Sequence, residues 1–507
     1  MVHIANIVRK FGPIALVLVI IFAVFFPALS VGFFADDFDF AVRMPQTPFL
    51  ETITRSTDGT HGGGSWRPIT MMFFWLTLGF EQSATFNHLV SLVLYLVLLG
   101  IVYACVRELF SERSVWFASV VVLLVGVMPI HAEPVVWIAA RGDLLAAVGG
   151  FAALYAWLRG YAWWAIAFLL LSLGAKEFWL LFALPLFFLA PTQISHRKRL
   201  QYFAAYLVGA VVWFVLRFYI TRYGFGGYSI TPAQNIFGVQ HLANEIISFV
   251  VGSWSFGSFQ SWIVRFSQHY WFIVSWVVAA IILTLGYFSR KHPRARFLFA
   301  ALVSVQLPVL ALTVPFIQPG AMVGEQRYWF AGSIFFILLA AHFVRKHEKL
   351  LGLAVGLVFF LGITSNIDTY VRAASYRDSV LLGWKTLGLS QPSTTKVAFL
   401  PDSWYGVHLL ASPFFEAALE KEGMPKPRSV STWYQQCTAH CLTPASIQKG
   451  LHGLVRLFAQ DPRIFSQTSH GLRYDATEQL EPGTTLAVWS GTTWIEIFPE
   501  TGENCLH

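Results

Sequence analysis

Long apolar runs recur from residue 11 to residue 366, and they limit the fold more than any other feature of the chain. A transmembrane helix needs about 20 predominantly apolar residues. Charged residues make up only 12% of the 507-residue chain, whereas soluble proteins carry about 25%. The sequence therefore predicts a polytopic α-helical membrane protein with about eleven transmembrane helices. The candidate spans are 11–34, 87–106, 115–130, 143–159, 161–174, 178–192, 201–221, 271–288, 296–316, 328–344 and 350–366.

Basic residues concentrate in the short loops between these spans. The clusters are Arg9 with Lys10, Arg107 with Arg113, His196–Arg199, Arg290–Arg296 and Arg345–Lys349. Alternating the spans across the membrane puts every cluster on one side, which the positive-inside rule assigns to the cytoplasm. These clusters explain the formal net charge of +8, and we expect no nucleic-acid partner.

The opposite face receives the loops that carry mixed ionisable groups, at 35–70, 131–142, 222–270 and 317–327. Segment 222–270 is rich in aromatic, Gly and Ser residues and is expected to lie on the membrane surface. We divide the chain into a membrane domain at 1–370, a linker at 371–390 and a small α/β domain at 391–507. Within the last, KVAFLP predicts a strand, Ser412–Glu420 a helix, and LAVWSG with TWIEIF a pair of strands.

Two cysteines of this C-terminal domain, Cys437 and Cys441, stand four positions apart in CTAHC. If the domain lies outside the cytoplasm, the interpretation we favour is a disulfide. With two histidines nearby, a metal site is the alternative.

Carboxylates follow directly on the first apolar run, in VGFFADDFDF at Val31–Phe40. A polar stop at the membrane surface is the plain explanation of Asp36 and Asp37. Near the interface, however, a carboxylate is partly desolvated and can serve as a general base. The DFD sequence also matches metal-binding DxD motifs, but those belong to transferases with a nucleotide-binding sheet, which this sequence does not show.

Cations and a glycine-rich loop occur on the same predicted face. THGGGSWRP supplies His61 and Arg67, where glycines let backbone N–H groups approach an anion. In GAKE, Lys176 either neutralises Glu177 or binds a phosphate. The same choice arises for a later group in VGEQRY, which comprises Glu325, Arg327 and Tyr328.

PIHAEPVVWIAARGD places His131, Glu133, Arg141 and Asp143 inside a mostly apolar hairpin. Arg141 and Asp143 could pair with each other and have only a structural role. His131 and Glu133 could bind zinc, although the HxE spacing alone is not a zinc signature.

Acids, cations and a glycine-rich loop at the bilayer edge suit a substrate with a lipid tail and a phosphate. A polyprenyl phosphate that carries a sugar is such a molecule. A carboxylate would deprotonate an acceptor hydroxyl, and the cations would stabilise the departing phosphate. We expect no cofactor, although a divalent ion held by Asp36, Asp37 and Glu133 is an alternative.

Two other function classes fit parts of the pattern. A transporter or flippase of polyprenyl-linked sugars would use the same cations, but it should show inverted repeats and ionisable groups at the bilayer midplane. A non-catalytic assembly protein would not need acids and cations on one face.

The order of these motifs resembles the membrane half of the TMTC-type protein O-mannosyltransferases, within the GT-C superfamily of lipid-phosphosugar-dependent glycosyltransferases. The likeness covers about residues 30–345, and PIHAEPV followed by RGDLLA is its most specific part. The matching motifs are the acidic pair, HGGGSWRP, FNHLVS, PIHAEPV, RGDLLA, AKE and EQRYW.

The resemblance implies a GT-C fold and an inverting transfer from a polyprenyl-phosphate-linked donor. By position it makes Asp36 the catalytic carboxylate and Asp37 its helper. By the same carry-over, the site candidates are His131, Glu133, Arg141, Asp143, Lys176 and Arg327. Together with the motifs described above, this gives His61, Arg67, Arg141, Lys176, Arg327 and Tyr328 as donor-binding candidates. Supporting roles fall to His131, Glu133, Asp143, Glu177 and Glu325.

The chain departs from that family in its C-terminal part. TMTC-type proteins continue into TPR repeats, but this chain shows no 34-residue period. The acceptor, whether a protein, a glycan or a lipid, therefore does not follow from the resemblance. PDSWYGVHLLASPFFEAAL resembles the tails of bacterial GT-C-like membrane proteins, which implies a bacterial inner membrane with the active site and the C-terminal domain in the periplasm.

Overall fold

A computed structural model describes residues 2–54, 65–191, 194–221, 280, 283–311, 326–344 and 348–386, together with shorter stretches between 395 and 506. Several predicted features lie wholly or mostly outside the described residues: the surface segment 222–270, the span 271–288, the loop 317–327, His61, Glu325, Cys437 and Cys441. The chain divides into two compact units. The first comprises Met1–Ser30 and Met44–Asp368, and the second comprises Val31–Arg43 and Thr369–His507.

In the described residues of the first unit the main elements are helices. They are α1 (Val2–Phe25), α3 (Phe49–Thr54), α4 (Pro68–Phe80), α5 (Ala84–Leu109), α6 (Val115–Gly126), α7 (Ala132–Val136), α8 (Arg141–Leu158), α9 (Ala162–Ala175), α10 (Ala183–Leu189), α11 (His196–Thr221), α12 (Pro293–Ala311), α13 (Phe330–Phe343) and most of α14 (Glu348–Thr386). Residues 283–289 are also helical. Short 3₁₀ turns lie at Phe26–Ser30, Met44–Gln46, Pro129–His131, Ile138–Ala140, Glu177–Phe182 and Gln326–Trp329.

Five described helices are long and apolar enough to cross a membrane: Phe11–Ser30, Ala84–Leu109, Ile138–Leu158, His196–Thr221 and Ala354–Thr386. A sixth is present if Val115–Gly126 and Pro129–Val136, which meet at 61°, form one broken span. The chain is therefore a multi-pass helical membrane protein, as predicted. The count of about eleven spans stays a prediction, because several apolar helices are shorter than a bilayer requires.

The antiparallel hairpin of α8 and α9 shows how sequence sets local structure in this unit. Gly160 ends α8 in the left-handed region at φ +81°, and Tyr161 N–H donates to the Ala156 carbonyl at 2.8 Å. This is the hydrogen-bond pattern of a glycine-terminated helix. Further along, a Cβ on Gly149 would lie 2.9 Å from the Phe168 carbonyl oxygen. The missing side chain lets the two backbones approach closely.

In the second unit the described residues form α2 (Asp36–Arg43), the end of α14, α15 (Ser412–Lys421) and nine short strands. The strands are β1 (Thr395–Leu400), β2 (Ser403–Trp404), β3 (Val407–His408), β4 (Ser429–Thr432), β5 (Phe465–Thr468), β6 (Gly471–Tyr474), β7 (Thr485–Trp489), β8 (Trp494–Ile497) and β9 (Cys505–Leu506). The largest sheet has the order β4-β1-β7-β8.

In that sheet β1 is parallel to both β4 and β7, whereas β7 and β8 are antiparallel with Leu486 opposite Ile497. The local predictions of a strand at KVAFLP, a helix from Ser412 and a strand pair at LAVWSG and TWIEIF are confirmed. The α/β domain as a separate entity stays a prediction. Residues 371–386, predicted as most of a linker, continue α14 as helix.

Candidate functional site

Lys176 and Asp143 form a buried ion pair at the open end of the α8–α9 hairpin, where α8 begins and α9 ends. Lys176 Nζ lies 2.6 Å from both carboxylate oxygens of Asp143, and Lys176 is 3% exposed. Lys176 follows the last residue of α9, and Asp143 is in the first turn of α8. The close packing of the hairpin therefore sets the distance between these two charges.

This pair corrects two predictions. Arg141 does not pair with Asp143, because residues two positions apart on a helix point to different sides. Lys176 does not neutralise Glu177 either. Lys176 has extended backbone, with φ −159° and ψ 133°, so consecutive side chains diverge. Each member of the predicted pairs instead contacts residues on other helices.

Glu177 binds Arg67, which precedes α4. Arg67 Nε lies 3.2 Å from Oε2 and Nη2 lies 3.3 Å from Oε1. Arg217 of α11 approaches the same carboxylate at 3.9 Å. Burial by itself would raise the pKa of Glu177, but the two guanidinium groups outweigh it and lower the pKa to about 2. Glu177 is therefore an anion shared by two cations, and both it and Arg67 keep side chains 16% exposed.

Arg327 forms a third ion pair, with Glu133 of α7. Arg327 Nη1 lies 2.6 Å from Oε1, and its backbone N–H donates to Oε2 at 3.0 Å. The guanidinium also covers the rings of Trp137 and Tyr328, at 4.5 and 4.9 Å from their centroids. Lys176 Nζ lies 5.0 Å from the centroid of the same Tyr328 ring. Tyr328 thus contacts a cation of each pair and links the two.

Arg141 is fully buried and binds neutral groups. Its Nε donates to Ser91 Oγ at 3.1 Å, Nη1 to Thr77 Oγ1 at 2.8 Å and Nη2 to the Asn87 carbonyl at 2.7 Å. Two phenylalanine rings of α4 lie 5.6 Å from the guanidinium carbon. These contacts give Arg141 a role in holding α4, α5 and α8 together, which the sequence did not predict.

His131 occupies the break between α6 and α7. Its Nδ1 lies 2.7 Å from the Tyr95 hydroxyl, and its Nε2 lies 2.7 Å from Ser333 Oγ. Asn366 Nδ2 donates to the Pro129 carbonyl of the same turn at 2.9 Å. These hydrogen bonds fix the turn that leads to Glu133. Among the described residues, no three His, Cys, Asp or Glu side chains are grouped closely enough to hold a metal ion.

The aspartates at the start of α2 belong to the second unit, and they differ from each other. Asp37 is fully buried, and its Oδ2 accepts a hydrogen bond from the Phe34 N–H at 3.0 Å. Asp36, the first residue of the helix, is half-buried. Ala35 before it has φ +41°, a conformation that non-glycine residues seldom adopt. Asp37 thus stabilises the turn, and Asp36 is the more accessible carboxylate.

Arg377 of α14 holds the loop that leads to this turn. Its Nη1 donates to the Val31 carbonyl at 2.9 Å and also to the Phe33 carbonyl. Gly32 between them has φ +72°, and a Cβ there would lie 2.6 Å from Arg377 Nη2. Sequence reasoning missed Arg377, because the contact with Phe33 joins residues 344 positions apart.

No protein-family model matches the chain, and no curated protein matches it. The structure is similar to the crystal structure of ArnT from Cupriavidus metallidurans bound to undecaprenyl phosphate, with a TM-score of 0.36 and 16% sequence identity. The likeness covers 82% of this chain and 90% of that one. A TM-score of this size does not establish a shared fold or a family.

Proposed function

We propose that this chain is an inverting membrane glycosyltransferase of the GT-C type. It moves a single sugar from a polyprenyl-phosphate donor to a hydroxyl of a protein, glycan or lipid acceptor. The observation that carries the proposal is the set of three ion pairs in the first unit. Lys176, Arg67 and Arg327 are donor-binding candidates of the sequence analysis, and each is held by a carboxylate.

The physical argument rests on the cost of charge near a lipid phase. Placing an ionisable group close to hydrocarbon costs free energy, and such groups usually have a function. The carboxylates fix the position of each cation before a substrate binds, so little reorganisation remains for the reaction itself. Arg67 and Arg327 keep side chains 16% and 15% exposed, and they are the cations best able to meet a phosphate.

The proposed reaction assigns one role to each group. Asp36 accepts the proton of the acceptor hydroxyl, and the oxygen attacks the anomeric carbon of the sugar. The bond from that carbon to the phosphate oxygen breaks on the opposite face, which inverts the configuration. The electron pair of the broken bond leaves with the polyprenyl phosphate, whose negative charge Arg67, Lys176 and Arg327 stabilise.

The cellular setting follows the same proposal. The reaction takes place on the periplasmic side of a bacterial inner membrane, where the C-terminal domain also lies. No nucleotide is needed there, since the lipid carries the activated sugar. No divalent ion takes part in this scheme, so chelation with EDTA should leave the transfer rate unchanged.

Replacing Asp36 by Asn tests the proposal. We expect a loss of transfer of at least about 100-fold, because general-base catalysis contributes that much. The assay follows radiolabelled sugar from polyprenyl-phosphate donors to membrane and periplasmic acceptors, with mass spectrometry of surface glycans identifying the product. Asp39→Asn is the matched control, because Asp39 lies on the same helix but pairs with Arg43 at 3.0 Å. Full activity of Asp36→Asn would reject the base, and no transfer by the unaltered chain from any such donor would reject the function.

A further inference from the structure

A cavity of 820 Å³ opens at the end of the α8–α9 hairpin that lies away from the ion pairs. It lies between the turn at Gly160 and the residues that lead into α11. The hairpin end supplies Leu158 and Arg159, and the α11 side supplies Ser195, Lys198 and Tyr202. None of the described residues that line it is a carboxylate.

The lining suits a phosphate. Lys198 forms no ion pair with any carboxylate in the described part of the chain. Arg159 bonds Glu108 through Nη1 at 3.1 Å, and a guanidinium has four further N–H donors. Ser195 and Tyr202 add hydroxyl groups. The cavity therefore presents hydrogen-bond donors and positive charge beside the apolar side chain of Leu158.

Exposed aromatic residues indicate the depth of the cavity in the membrane. Tyr161, Trp163 and Trp164 follow the Gly160 turn and are 57%, 66% and 63% exposed. Tyr and Trp side chains concentrate at the level of lipid headgroups. The Trp163 ring also contacts Tyr202 of the cavity wall edge-on, with centroids 5.5 Å apart. The cavity thus lies beside an interfacial aromatic belt.

The ion pair of Asp143 and Lys176 lies at the opposite end of the α8–α9 hairpin, where α8 begins. Helix α8 has 18 residues, and a rise of 1.5 Å per residue gives it a length of about 27 Å. That is close to the thickness of the hydrocarbon core. The cavity and the ion pairs are therefore on opposite membrane surfaces, and the positive-inside rule assigns the cavity to the cytoplasmic one.

We propose that this cavity binds the headgroup of an anionic phospholipid from the cytoplasmic leaflet. The lipid phosphate accepts hydrogen bonds from Lys198 and Arg159. The apolar part of the lipid lies beside Trp163, which is exposed and contacts Tyr202 of the cavity wall. This site does not depend on the proposed transferase activity, and it would tie α11 to the α8–α9 hairpin at the membrane surface.

The test measures lipid binding by the purified full-length chain in detergent, using native mass spectrometry. Phosphatidylglycerol is the probe, and phosphatidylethanolamine is the lipid of matched size without net charge. We expect the chain to retain phosphatidylglycerol preferentially. Lys198→Glu should weaken this binding by about tenfold or more, because it reverses a charge at the phosphate.

Arg197→Glu is the matched control, since Arg197 is the exposed neighbour on the same helix and does not line the cavity. It should bind phosphatidylglycerol as the unaltered chain does. Equal weakening by both variants, or equal retention of the two lipids, would overturn the proposal. Displacement of the lipid by millimolar inorganic phosphate would identify a free-phosphate site instead and would also overturn it. Lys198→Gln repeats the test if the reversed charge impairs folding.

Discussion

The cations at the two ends of the α8–α9 hairpin differ in their burial. At one end Lys176 is buried against Asp143, and its Nζ lies 2.6 Å from each carboxylate oxygen. At the other end Arg159 and Lys198 are exposed beside an open cavity. A buried charge needs a partner in fixed geometry, whereas an exposed one is solvated and screened. The comparison suggests that the first end is built for precise positioning and the second for a replaceable ligand.

The largest effect should follow from removing one partner of the buried pair. Asp143→Leu removes the carboxylate that binds the buried Lys176 ammonium, and we expect a loss of stability of about 3–5 kcal/mol. Thermal unfolding in detergent, followed by near-UV circular dichroism, measures this loss. The double variant Asp143→Leu with Lys176→Met should recover most of it, because no buried charge remains. A double variant as unstable as the single one would show that lost packing, and not the buried charge, causes the loss of stability.

An intermediate effect is expected at Glu177, which is partly exposed. Glu177→Gln should cost about 2 kcal/mol at neutral pH, because Arg67 loses a charge-assisted hydrogen bond. The pKa of about 2 in the folded chain lies below the ordinary value for Glu. The stabilisation by this carboxylate is therefore complete above pH 4.5 and is lost as the pH falls toward 2.

Unfolding of the unaltered chain and of Glu177→Gln at pH 7 and at pH 3 measures this dependence. The stability difference between the two chains should be constant from pH 6 to pH 8 and smaller at pH 3. A difference that changes between pH 6 and pH 8 would contradict a depressed pKa and would weaken the contrast between the two ends of the hairpin.

The smallest effect should come from the exposed end. Arg159→Gln removes the contact with Glu108, but a solvated ion pair contributes little to stability. We expect an unchanged midpoint of thermal unfolding in the same detergent, measured on chains from which phospholipid has been removed. A large decrease in the midpoint would show that Arg159 has a structural role like that of Lys176. The two ends of the hairpin would then not differ in this respect.

Several parts of the fold were predictable because they depend on local composition. The apolar run at 87–106 lies within the helix Ala84–Leu109, and the run at 201–221 lies within His196–Thr221. Both are long enough to span a bilayer by themselves. Strand alternation at LAVWSG and TWIEIF likewise gave the antiparallel pair of β7 and β8. In each case the signal lies within one short segment.

The partners of the charged residues were not predictable in this way. Sequence proximity suggested Arg141 with Asp143 and Lys176 with Glu177, and both predictions were wrong. The Arg67–Glu177 pair joins residues 110 positions apart, and the Arg327–Glu133 pair joins residues 194 apart. Such contacts depend on which helices pack together, and hydropathy does not contain that information.

The amino-acid sequence by itself determined that the chain crosses a membrane several times, because hydrocarbon selects long apolar helices whatever their neighbours are. It also identified the ionisable residues that interrupt those helices. Only the tertiary structure decided which carboxylate holds each cation, that Arg141 belongs to the framework, and that Asp37 rather than Asp36 is buried. The reason is that an ion pair depends on distances of a few ångströms, which are set when separate helices pack.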